Sequence, residues 1–163
     1  MKTAIIYYSM SGNTEYVAKF MANRLDADLI KLIPNKEYPN KGFKKFFWGG
    51  KSAIMGDTPT LENYEFESEK YDYIIFGTPV WASSFTPPIR TFIKDNKEKL
   101  NNKKFGVFAC CMGSGATKTI QKLKDFLEID GFIAELILID PKDKKDDEKD
   151  KKIEEFCNKI ANI

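Results

Sequence analysis

Residues 2–20 read KTAIIYYSMSGNTEYVAKF. Lys2 to Tyr8 is a run of β-branched and aromatic side chains, which reads as a buried strand. A short polar loop follows, Ser9-Met10-Ser11-Gly12-Asn13-Thr14. Beyond it Val17, Ala18, Met21 and Leu25 recur at the spacing of one helix face. The same alternation continues down the chain. Asp28–Ile33, Tyr71–Phe76, Lys104–Cys110 and Phe132–Ile139 read as four further apolar strands. Pro88–Asn96 reads as a helix with Ile89, Phe92 and Ile93 inward. Ile120, Leu123 and Leu127 mark another, closed by Gly131, and Ile153, Phe156, Cys157 and Ile160 mark a last one. Five apolar strands separated by helices imply an α/β fold: a three-layer, doubly wound, five-stranded parallel sheet with helices on both faces. The 163 residues are expected to form a single domain, 1–163.

Composition narrows the chemistry. The chain is 42% hydrophobic and 31% charged, which excludes a disordered chain and a membrane bundle. It has no histidine, so no triad, histidine base or histidine-ligated metal is available. Twenty-six basic and 24 acidic residues leave a net charge of +2, too balanced for a typical nucleic-acid binder. Three cysteines, two of them adjacent (Cys110 and Cys111), fit neither a disulfide framework nor a zinc knuckle. Reduced thiols suit the cytoplasm, and no apolar run approaches a membrane span.

Two segments stand apart. Lys142–Lys152 is a mixed charge run, read as a solvated loop and first helical turn. The stretch Gly42–Gly56, GFKKFFWGGKSAIMG, is long for a connection. Residues 43, 46, 47, 50 and 54 suit one apolar helix face, with Phe43 and Ile54 read as packing residues. Trp48 falls off that stripe and serves either packing, a ligand or an interface.

In an open α/β sheet, ligands bind beyond the carboxyl ends of the strands. The loop after the first strand, Ser9 to Thr14, offers hydroxyls, an amide and a glycine at a helix N-terminus. It fits a neutral cradle for one phosphomonoester, or a plain turn capped by Asn13 or Thr14. It lacks the Gly-Lys-Ser/Thr of a nucleoside triphosphate loop and the G-x-G-x-x-G of a dinucleotide site. The loop after the third strand, Gly77-Thr78-Pro79-Val80-Trp81-Ala82-Ser83, carries a tryptophan that meets a flat ligand or folds back on the sheet. The loop after the fourth, Cys111-Met112-Gly113-Ser114-Gly115, lets a ligand approach the backbone or merely turns into the next helix.

These loops carry a resemblance. Ser9–Thr14 resembles the T/S-x-T/S-G-x-T phosphate loop of flavodoxins, and Gly77-Thr78-Pro79-Val80-Trp81 resembles their G-x-P-x-W ring-binding loop. The resemblance implies the strand order 2-1-3-4-5 and FMN as cofactor. It implies phosphate at Ser9, Met10, Ser11, Gly12, Asn13 and Thr14. It implies the isoalloxazine ring against Thr78, Pro79, Val80, Trp81 and Ala82, with further contacts from Cys111, Met112, Gly113, Ser114 and Gly115. Trp48 is the first candidate to cover the second ring face. In flavodoxins the peptide after the loop tryptophan turns on reduction. Here that is Ala82–Ser83, and the positive φ required is costly for serine. The two reduction steps are therefore expected to lie close together.

The leading functional reading is an electron carrier between redox partner proteins, a reductase and an acceptor. The alternative is an FMN-dependent NAD(P)H reductase of a quinone or similar acceptor. A homodimer through residues 42–56 is a further expectation, with no nucleic-acid or membrane partner. A phospho-acceptor receiver domain is excluded, because Tyr8-Ser9 and Gly77-Thr78 stand where its acidic residues would be.

Overall fold

Strand burial follows the apolar runs. All of β1 (Thr3–Tyr7) and all but the last residue of β3 (Tyr73–Pro79) are buried. β4 (Lys104–Cys111) is buried after its first residue, while β2 (Asp28–Lys31) and β5 (Ala134–Ile139) form the edges. All four pairings are parallel, in the order β2-β1-β3-β4-β5. The computed structural model describes residues 2–36, 38–39, 42–143 and 146–162, and for 42–48 the backbone only.

Alternate strand residues face opposite sides, which makes two cores. On one face Ile5, Tyr7, Ile75, Phe108 and Leu138 pack under α1 (Asn13–Leu25) and α5 (Asp147–Ala161) through Val17, Met21, Ile153 and Phe156. On the other Ile6, Ile74, Phe76 and Val107 pack under α3 (Pro87–Asp95) and α4 (Ala116–Leu127) through Ile89, Phe92, Ile120 and Leu123. The last helix begins where Asp146 accepts the Lys149 N–H, capping its N-terminus. The register brings Tyr7, Gly77 and Phe108 side by side, so that β1 ends at this level while β3 and β4 run on together to Pro79 and Cys111.

The long connection contains the expected helix, α2 (Gly42–Met55). Its apolar face differs from the sequence expectation. Ile54 is 70% exposed, because Gly49, Ser52 and Ala53 turn inward and the next position points away from the body. The side chains of Phe43 and Trp48 lie outside the described residues. Several boundaries moved: β2 stops at Lys31, β5 starts at Ala134, and β3 runs from Tyr73 to Pro79, taking in the first three residues of the expected loop. α4 stops at Leu127, where Glu128 takes a left-handed φ of 58°, three residues before Gly131. Only one face of β5 is fully covered, since Ile137 and Ile139 stay two-fifths exposed on the other.

Gly77 has no room for a side chain, since a Cβ there would overlap the ring of Phe108. Gly131 faces open space and has no left-handed φ. Gly77→Ala is expected to cost about 1–3 kcal/mol in urea unfolding, the scale of an overpacked core. Gly131→Ala should stay within about 0.5 kcal/mol of the parent. Equal effects would refute the account of the Phe108 contact.

Candidate functional site

Three loops converge above the carboxyl ends of β1, β3 and β4. Between them lies a cavity of about 290 Å³ lined by Met10, Ser11, Asn13, Gly50, Pro79, Val80, Trp81, Ala82, Cys110, Cys111, Met112 and Asp140.

The first loop is organised by Gly12, the N-cap of α1, with φ 94° and ψ −9°. That left-handed conformation is cheap only for glycine. The Gly12 N–H donates to Ser9 Oγ (3.2 Å), and the Tyr16 N–H donates to the Gly12 carbonyl (2.9 Å). No side chain caps the helix, so Asn13 and Thr14 do not play the capping role open to them from sequence. The first-turn N–H groups have no partner within the helix and present a positive end. Ser11 is exposed beside them, whereas Thr14 is buried and bonds the Cys110 thiol. The Asn13 Oδ1 accepts the Lys142 N–H (2.8 Å), which ties the chain after β5 to this loop.

The second loop is rigid. Thr78 is fully buried, and its hydroxyl donates to the Pro79 carbonyl (2.9 Å) and accepts the Thr86 N–H (3.1 Å). The Val80 N–H donates to the Cys110 carbonyl (2.9 Å). Trp81 and Ser84 exchange backbone hydrogen bonds of 3.0 and 2.9 Å, closing a tight turn with Ala82 and Ser83 at φ 49° and 55°. Both central residues are thus already left-handed. The positive φ at Ser83 is a cost the turn carries as it stands and not one that arises only on reduction.

The Trp81 indole meets the ring edges of Tyr8 (centroids 5.6 Å apart) and Tyr38 (5.0 Å). Its six-membered ring also rests on α2 at Gly49, where a Cβ would stand 3.2 Å from two ring carbons. Gly50 likewise faces Ala82. The glycine pair is therefore the contact surface by which the helix of the long connection seats the tryptophan.

The third loop leaves β4 at Cys111. Met112 is 69% exposed at the cavity mouth. Gly113 and Ser114 are exposed and outside the cavity lining. Gly115, at φ 89°, caps α4 and abuts Ser83, so that the second and third loops interlock.

Of the residues singled out from sequence, Met10, Ser11, Asn13, Pro79, Val80, Trp81, Ala82, Cys111 and Met112 line one cavity. Ser9 borders a neighbouring cleft with Tyr8 and Tyr38. Gly12, Thr14, Thr78 and Gly115 do not line it, and the Trp48 side chain lies outside the described residues. Three lining residues were missed. Gly50 was signalled by its glycine pair inside an amphipathic helix. Asp140 was signalled by its place at the carboxyl end of β5, and Cys110 by its adjacency to Cys111.

A family model described as Flavodoxin matches residues 2–138. The chain belongs to the flavodoxin family. No curated protein matches the sequence. Solved structures share the flavodoxin fold across nearly the whole chain. A putative flavoprotein from Bacteroides eggerthii superposes with a TM-score of 0.74 at 21% identity, covering 98% of each chain. A flavoprotein from Lactobacillus acidophilus in complex with FMN gives 0.70 at 23%, covering 93% of this chain and 97% of that one. Two-electron reduced flavodoxin from Megasphaera elsdenii gives 0.60 at 19%, covering 99% of each. At these identities the likeness is one of fold.

The two cysteines of this flavodoxin-family cavity face opposite cores. Burial pushes the Cys110 thiol from its ordinary value of 9.0 up to about 12, a shift the Thr14 hydrogen bond opposes. The buried neutral thiol contributes stability that is fully present below pH 9 and is lost as pH rises through 12. Alkaline unfolding beginning above pH 9, weakened in Cys110→Ala, is the expected observation. Separately, Ser83→Gly is expected to raise stability by about 0.5–1 kcal/mol by relieving a left-handed serine. A lower urea midpoint would show that the Ser83–Gly115 contact outweighs the strain.

Proposed function

We propose that this chain binds one FMN in the three-loop cavity and carries electrons between redox partner proteins in the cytoplasm. The observation that carries the reading is the pairing of an uncapped, glycine-led helix N-terminus with a tryptophan-walled apolar cleft on one cavity. The donor set suits a phosphomonoester: Gly12 holds a left-handed backbone at the helix start, and no side chain caps the first-turn N–H groups of α1. Val80, Trp81 and Met112 offer apolar surface to a flat ring. The FMN found with the Lactobacillus acidophilus flavoprotein, on the same fold, supports the assignment.

On this reading the cofactor supplies the one- or two-electron chemistry. The protein's residues do the rest. Residues 11–14 hold the phosphate. The Thr78 hydroxyl network fixes the second loop, so that Trp81 keeps its position between Gly49 and the two tyrosines. Met112 at the mouth leaves one edge of the cavity open toward a partner. Free Cys110, Cys111 and Cys157 suit a reducing compartment. Among the described residues no helix is long and apolar enough to cross a membrane.

The purified protein is expected to show a flavin absorption spectrum and to release FMN by mass. Reconstitution should prefer FMN over FAD, and Trp81→Ala should weaken FMN binding by about 1–3 kcal/mol, the scale of an aromatic stack. Preference for FAD or NAD would overturn the cofactor assignment. Rapid NAD(P)H oxidation with a quinone, without added reductase, would overturn the carrier role.

A further inference from the structure

We infer that Lys142, from the loop after β5, is the cationic partner of the ligand's phosphate, so that the cradle at residues 9–14 is a charged site. This rests on the FMN reading above. From sequence, that cradle is neutral and residue 142 belongs to a solvated charge run. The tertiary structure brings the two together across 129 positions.

Three observations support the assignment. The first is a tether: the Lys142 N–H donates to Asn13 Oδ1 at 2.8 Å, which fixes the backbone of residue 142 at the start of α1. The second is the course of its side chain. The lysine stem runs alongside Gly12, where a Cβ would meet Nζ at 3.1 Å and Cδ at 3.5 Å. The ammonium therefore sits at the glycine whose left-handed backbone opens the helix end to an anion. The third is charge balance. Asp140 is the one carboxylate among the described residues lining the cavity. A phosphate entering beside that carboxylate meets repulsion unless a cation stands close to it. Lys142 is two residues away in the same loop, and no ion pair recorded among the described residues engages it. A compact ammonium on a flexible four-carbon stem can turn toward a phosphate without moving the backbone.

The loop after β5 thus acts as a fourth wall of the site. It gives the pocket a means to discriminate phosphorylated from unphosphorylated flavin, beyond the neutral hydrogen bonds of residues 11–14.

Fluorescence titration of the apoprotein with FMN and with riboflavin, at low and high salt, tests this. Lys142 is exposed, so Lys142→Met should fold normally. It is expected to weaken FMN about fivefold, the scale of a solvent-accessible ion pair, and to leave riboflavin affinity unchanged. Lys142→Arg should keep most of the FMN affinity. The salt dependence of FMN binding should be shallower in Lys142→Met than in the parent. Unchanged FMN affinity in Lys142→Met, or equal weakening of FMN and riboflavin, would overturn the inference and leave the FMN assignment standing. A parent protein that binds neither flavin would overturn both.

Discussion

Phe108 lies over Gly77 at the level where β1 ends, and the rest of the structure depends on that contact. The aromatic ring fills the space that any side chain at residue 77 would take. It belongs to the core shared with Val17, Ala18 and Met21, so it helps seat the sheet under α1. Removing the side chain from β3 at this point lets β1, β3 and β4 lie close, with Tyr7, Gly77 and Phe108 in register. The loops that leave those strands then share one rim. Parallel sheets concentrate ligand sites at such a rim because every loop there follows a strand that is held on both sides.

Around that rim, rigidity comes from interlocked backbone. Ala82 and Ser83 are held left-handed because Trp81 and Ser84 close the turn, with Ser83 filling the space a side chain at Gly115 would need. Strain of this kind persists where surrounding contacts over-determine the conformation. The second loop is thereby fixed from below by Thr78, from one side by α2 and from the other by the loop entering α4. Electrostatics follow the same geometry. The uncapped start of α1 presents a positive end, Asp140 adds a carboxylate to the cavity lining, and the Lys142 side chain runs alongside Gly12.

Much of this was legible in the chain. The runs Lys2–Tyr8, Tyr71–Phe76 and Lys104–Cys110 marked the three inner strands, because strands buried on both faces need no polar alternation, although β3 starts at Tyr73 and takes in Gly77–Pro79, which read as loop. Glycine and hydroxyl residues after each strand marked the cavity. Ile54 misled, because a helical stripe names a face only when the partner surface is known, and the inward residues there are small. Helix α4 ended early because Glu128 adopts a left-handed cap that its side chain does not advertise.

By itself the sequence determined the fold class and the places of the three loops, since periodicity and turn chemistry are local properties. Only the tertiary structure decided which residues share the cavity. Thr78 turned away into a hydrogen-bond network, Gly50 came in from a helix whose Gly49 seats Trp81, and Asp140 arrived from the far end of the chain, with Lys142 beside Gly12. Those placements depend on crossover connections and on close approach between distant segments, and neither leaves a periodic trace in the amino-acid order.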